Sequence, residues 1–146
     1  MNTIVMPRPK RLWIVAIMDI AVATITLIVL SFILISDRVP IEVRPTGFRA
    51  AASAIIAALV ILSSIFALLR FPGARWFALG AALIFFGSLL FQSLILIFSP
   101  SDALPAGRAL KLWANVVRNS IEISLNLWVF LGSKVATYFR TAVVTT

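Results

Sequence analysis

Four apolar stretches separated by short breaker segments confine this chain to a membrane before any motif is read. The first, Leu12 to Ile35, is long enough as a helix to cross about 30 Å of hydrocarbon at about 1.5 Å per residue. It is too long for a signal-peptide core and lacks a small-residue cleavage site, so it is expected to remain as a spanning helix. Asp19 interrupts it. Fifteen Ile, Leu, Val or Phe residues, at about −0.3 to −0.6 kcal/mol each, outweigh one central Asp at about +3 kcal/mol. Ala16, Ala23 and Thr26 share the Asp19 face, a narrow small-and-polar side suited to close helix contact.

Ser36 to Arg49 reads as a loop, because Asp37, Arg38, Pro40, Glu42, Arg44, Pro45 and Gly47 cannot together continue a membrane helix. Thr46 is placed to cap the second span, 48–69. That span carries Ala50, Ser53, Ala57 and Ser64 on one face, and Ala50, Ala54 and Ala58 also fit the small-xxx-small spacing that lets backbones approach. The breaker pair Pro72–Gly73, flanked by Arg70 and Arg75, is short enough to force an antiparallel hairpin with the third span, 75–98. There Ala74, Ala78, Ala81, Ser88 and Gln92 lie on one side. Gly73, Gly80 and Gly87 repeat on another, a face for a further helix or a second copy of the chain. Ser99 to Gly107, with Pro100, Asp102 and Pro105, forms the last turn.

The fourth stretch is the unusual one. From Arg108, at about 100° per residue, Lys111, Asn115, Arg118, Asn119, Glu122, Asn126, Ser133 and Arg140 fall within an arc of roughly 100°, while the other faces are nearly all apolar. Between Leu112 and Leu131 there are ten Ile, Leu, Val or Phe residues, worth about −5 kcal/mol, against about 5 to 6 kcal/mol for Arg118 and Glu122. Alone its insertion is marginal. A helix lying in the interface wants a broad polar face, however, and this polar stripe is narrow, so a span over 108–132 inserted with help from its neighbours is expected. Tyr138, Phe139 and Arg140 are read as continuing it to about 140. Arg118 and Glu122, four apart, can form an ion pair along the helix.

The resulting expectation is an all-α integral membrane protein, an antiparallel four-transmembrane-helix bundle with short loops, over a single domain 1–146. The halves show no convincing duplication of the kind found in inverted-repeat transporters. With the amino terminus cytoplasmic, Arg8, Lys10, Arg11, Arg70, Arg75, Lys134 and Arg140 face inside, against Arg38, Arg44, Arg49, Arg108 and Lys111 outside. That bias favours both termini inside, and the compact form suggests a bacterial inner membrane. The net charge of +8 is read as headgroup anchors for anionic lipid rather than a nucleic-acid surface, because the bases flank the apolar runs.

Counting rise from the helix ends sets polar groups at matching depth. Gln92 and Arg118 both lie roughly 25 Å from the inner surface, Ser88 matches Glu122, and Asp19, Ser64 and Asn126 lie roughly 9 to 12 Å in. The groups either satisfy one another as a packing and registration device or line a wet interior. Asp19 is the better working group of the two carboxyls, since Glu122 has an opposite charge beside it. Trp13, Trp76, Trp113 and Trp128 lie near helix ends as interfacial anchors, with a stacked lipid, quinone or pigment as the competing role.

The absence of Cys and His excludes disulfides, thiol chemistry and His-ligated metal or haem sites, and no metal or other cofactor is predicted. An intramembrane enzyme needs paired Asp, Ser with His, or metal ligands, and one Asp with one Arg-flanked Glu is thin material. The expected function is a non-catalytic accessory, assembly or stabilising subunit that packs against other membrane subunits or itself. The alternative is a minimal oligomeric transporter or channel whose path uses Asp19, Arg118 and Glu122. The tail to Thr146 carries no recognisable targeting signal.

Overall fold

The computed structural model describes residues 9–36, 44–99 and 106–143, which form five helices and no strand. These are α1 (Lys10–Ile35), α2 (Gly47–Leu68), α3 (Ala74–Phe98), α4 (Ala106–Leu131) and α5 (Ser133–Val143). The loop residues Asp37 to Val43 and Pro100 to Pro105, together with Arg8 and the tail from Val144, lie outside the described residues. Helices α1, α2 and α3 are long and apolar enough to cross a membrane. Helix α4 has the length but not the apolarity, because its polar stripe dilutes it.

Local chemistry sets the helix ends. Pro9 lies just before α1, where its carbonyl accepts the Leu12 and Trp13 N–H groups at 3.0 and 3.3 Å. Thr46 occupies the cap position of α2, but its side chain makes no capping bond; only its carbonyl is used, by the Ala50 N–H at 2.9 Å. The hairpin turn is better built. Arg70 N–H donates to Ala67 O at 3.2 Å and Phe71 N–H to Phe66 O at 3.0 Å, the paired bonds of a Schellman ending, with the Phe66 and Phe71 rings 5.3 Å apart beneath them. Gly73 then turns the chain at φ 77° into α3.

Helix α1 packs on α2, α2 on α3 and α3 on α4, with a smaller contact between α1 and α4. Two apolar clusters report the directions. One joins Leu12 and Val15 of α1, Ala67 of α2, Ala74 and Ala78 of α3, Val129 and Phe130 of α4, and Val135, Tyr138 and Phe139 of α5. The other joins Ala23, Ala57, Val60, Ala82, Phe85 and Phe86. The start of α1 and α3 thus meets the end of α2 and α4, an antiparallel arrangement. The face of α2 that packs is Ala50, Ala57, Ser64 and Ala67; Ala54 is half-buried and Ala58 exposed, so the small-xxx-small row of Ala50, Ala54 and Ala58 is not the contact. A seven-residue spacing keeps a helix face in register, whereas a four-residue spacing drifts by about 40° per step.

The fourth helix does not run on unbroken to residue 140. Gly132 N–H bonds Val129 O at 3.2 Å, tightening the final turn of α4, and the chain restarts as α5 with Ala136 N–H on Gly132 O at 3.0 Å. A Cβ at residue 132 would lie 3.1 Å from Trp128 O and 3.2 Å from Val129 O, so glycine permits the break. Helix α5 then folds its apolar side, Val135, Tyr138 and Phe139, against the bundle end and leaves Lys134 and Arg140 exposed.

Arg70 ties that end together. It stands at φ 62°, a left-handed conformation that costs a non-glycine residue about 1 kcal/mol. Its Nε–H donates to Tyr138 O at 2.9 Å, and its guanidinium lies 4.4 Å from the Tyr138 ring centre. Arg70→Gly is therefore expected to keep the hairpin turn while freeing α5: amide exchange over 133–140 should rise about tenfold or more, with 57–67 unchanged. Equal exchange in both segments would show that Arg70 does not hold α5.

Candidate functional site

Burial is uneven along the bundle. Among the described residues, the buried positions of α1 run from Leu12 to Ala23 and stop, and those of α4 begin at Asn119. The two helices therefore meet at the α5 end and part toward the other. Where they part lies a shallow, open groove of about 540 Å³ along one face of α4, lined by Leu110, Trp113, Val117, Ile121 and Leu125 with Arg118 and Glu122, and touched from α1 by Met18.

At the closed end of this groove lies a buried polar cluster. Asn126 Nδ2 donates to Asp19 Oδ1 at 3.1 Å and to the Glu122 backbone carbonyl at 3.1 Å. Glu122 thus belongs to both places, lining the groove with its side chain and holding Asn126 with its backbone. Three buried oxygens have no donor: Asp19 Oδ2, Asn126 Oδ1 and Asn119 Oδ1. Native interiors leave few such atoms, so each calls for a water, an ion or a proton.

The polar stripe of α4 divides at this point. Asn119, Glu122 and Asn126 are buried, Asn115 is half-buried, and Arg108, Lys111 and Arg118 are exposed. Arg118 makes no ion pair with Glu122, although its charge reaches that carboxylate. It lines the open groove and is exposed among the described residues. Gln92 is exposed because it lies on the outward side of α3; Ser93, one residue on, is buried instead, its hydroxyl donating to Leu89 O at 2.9 Å. The expected grouping of Gln92, Arg118 and Glu122 is thus not formed. Ser88 is half-buried and spends its hydroxyl on Phe85 O at 2.8 Å. Ser64 is buried but is not hydrogen-bonded to Asp19 or Asn126.

The glycine face is open. Among the described residues nothing lies within 4 Å of a Cβ built at Gly80 or Gly87, so these positions face no helix of this chain. The four tryptophans are exposed, Trp128 beneath the Arg11 guanidinium at 4.3 Å and Trp76 beside Arg75 at 4.8 Å. The sequence reading missed the basic clamp at the α5 end. Arg75 Nε–H donates to Phe130 O just before the α4–α5 break, and Arg70 Nε–H donates to Tyr138 O within α5. The sequence signal was partial: two hairpin arginines lie at the depth of the fourth helix's end, but which carbonyls they take depends on the break at Gly132. No family model, curated protein or solved structure matches the chain.

Proposed function

We propose that this chain is a non-catalytic accessory or assembly subunit of a larger membrane complex, with α4 as a fourth span and a partner's membrane helix seated in the groove between α1 and α4. The observation that carries this reading is Arg118, exposed on the groove lining roughly 18 Å along α4 from its start. An arginine facing hydrocarbon at that depth costs about 2.5 to 3.5 kcal/mol, and an acidic or amide side chain on a seated helix would offset this. Both termini are placed on the cytoplasmic side of a bacterial inner membrane. Lys10, Arg11, Arg70, Arg75 and Lys134 then gather at one surface, where anionic headgroups meet them.

A photo-crosslinker placed at Val117, exposed in the groove, is expected to capture one larger membrane chain at near stoichiometric yield in native-lipid nanodiscs. The same probe at Ile84, exposed on α3 outside the groove, should not. Recovery of the chain alone, uncrosslinked at Val117, would remove the accessory reading.

A second reading, a minimal oligomeric transporter, is supported by the three buried oxygens without donors, since a wet or ion-binding interior leaves such atoms for its cargo. Its test is flux into liposomes by the purified chain, with Asp19→Asn expected to abolish it.

A further inference from the structure

Asp19 and Asn126 are joined by one hydrogen bond where their shapes allow two. Asp19 is 1% exposed and Asn126 0%, both at the α1–α4 contact. The orientation of the Asn126 amide follows from its partners: Nδ2 donates to Asp19 Oδ1 and to Glu122 O, both acceptors, so turning the amide over would aim Oδ1 at two oxygens. That leaves Asn126 Oδ1 and Asp19 Oδ2 as two acceptors without a donor, one on each residue of the bonded pair.

We propose that this pair is a binding site for a single proton, carried on Asp19 Oδ2 and donated to Asn126 Oδ1, which closes a two-bond acid–amide ring. The carboxylate takes up one proton from the aqueous phase, forming one O–H bond and losing its charge, and no other bond changes. One proton satisfies both orphaned oxygens and removes an ionised carboxylate from the hydrocarbon depth of α1, where it would be costly. A metal cation fits the site less well. It needs five or more oxygens around it, and here the Asn126 Nδ2 donor already occupies Asp19 Oδ1. Asn119 Oδ1 lies two turns away on α4, outside the ring.

The surrounding charges are few. Helix α2 has no ionisable residue between Arg49 and Arg70, and α3 has none between Arg75 and its end at Phe98. Helix α4 contributes Glu122, whose carboxylate acts on Asp19, and Arg118 beyond it; on α1 itself Arg11 lies two turns away over Trp128. Glu122, on the groove lining and hydrogen-bonded through its carbonyl to Asn126, is the group past which a proton would enter.

The inference goes beyond the accessory reading and does not depend on it. It also names the ligand for the transport reading, and the two fail separately: a wild-type chain without flux would end transport and leave the infrared result below unaffected. The test is infrared spectroscopy of the lipid-reconstituted protein at neutral pH. The wild type should show a protonated-carboxyl band that shifts in deuterated water, disappears in Asp19→Asn, survives Glu122→Gln, and returns in the exchanged double variant Asp19→Asn with Asn126→Asp. Because an amide can donate where the acid's O–H did, Asp19→Asn should keep the unfolding equilibrium within about threefold of wild type, whereas Asp19→Ala should shift it tenfold or more. A band lost with Glu122→Gln but not with Asp19→Asn would move the proton to Glu122 and overturn the assignment. So would a wild-type carboxylate band that responds to sodium or potassium. Should Asp19→Asn fail to accumulate, the wild type and Glu122→Gln decide alone: the band present in both supports the proton, and its absence from the wild type overturns it.

Discussion

Replacing Ala57 with Leu is expected to destabilise the bundle by about 3 kcal/mol, while the same change one residue later, Ala58→Leu, should cost less than about 0.5 kcal/mol. Ala57 is fully buried in the central cluster with Ala23 of α1 and Phe86 of α3, and Ala58 faces outward. In lipid, helices are not driven together by water, so close backbone approach at small residues supplies much of the attraction. A leucine at position 57 must push α1 or α3 away and loses that contact along several turns. At 58 it merely replaces lipid against lipid. Unfolding in mixed micelles, followed by tryptophan fluorescence at increasing denaturing detergent, measures both. Equal losses at 57 and 58 would contradict the packing of α2 described above.

Phe86→Ala is expected to cost about 2 to 3 kcal/mol, from a cavity of roughly 100 Å³ at about 24 cal/mol per Å³. Phe86 is completely buried and meets Phe85 edge-on, with ring centres 5.0 Å apart at 75°. The usual water-to-core transfer component is small here, because the unfolded reference also lies in lipid, and lost dispersion contacts make up most of the change. Phe91→Ala, exposed on the same helix, should be close to neutral in the same titration. If Phe91→Ala proves as costly as Phe86→Ala, the loss is not one of internal packing. A xenon or small aromatic ligand that restores part of the Phe86→Ala loss would show the cavity directly.

Much of the fold is legible from residues. Three helices long and apolar enough to span follow from run length alone, and the hairpin follows from Pro72 and Gly73 between two such runs. The Asp19–Asn126 contact can also be reached by counting, because helical rise converts sequence distance into depth and few polar groups share any depth in so apolar a chain. Azimuth is harder. Gln92 and Ser93 differ by one residue, and which of them is buried depends on where α3 meets its neighbours. The same one-residue ambiguity separates Ala57 from Ala58.

The break at Gly132 was open to a different reading. A glycine in a long amphipathic run is tolerated inside a helix or ends it, and composition does not choose between them. Here the choice comes from what lies beyond: Tyr138 and Phe139 reach an apolar bundle end only if the chain turns, Arg75 binds the Phe130 carbonyl just before the turn, and Arg70 binds the Tyr138 carbonyl after it. Those partners are more than fifty residues away in sequence.

The sequence by itself determined that this is a helical membrane chain without Cys or His, with three apolar helices and a fourth carrying a polar stripe. These properties depend on local composition and a 3.6-residue period, which each segment holds on its own. Only the tertiary structure decided that α1 and α4 touch at one end and part at the other, that Arg118 is left outside, and that the Asp19–Asn126 contact leaves two oxygens unsatisfied. Those outcomes depend on how four helices share a limited set of close contacts. A helix that packs Ala23 against Ala57 and Val60 of α2 cannot also cover the whole of α4, and no single segment carries that constraint.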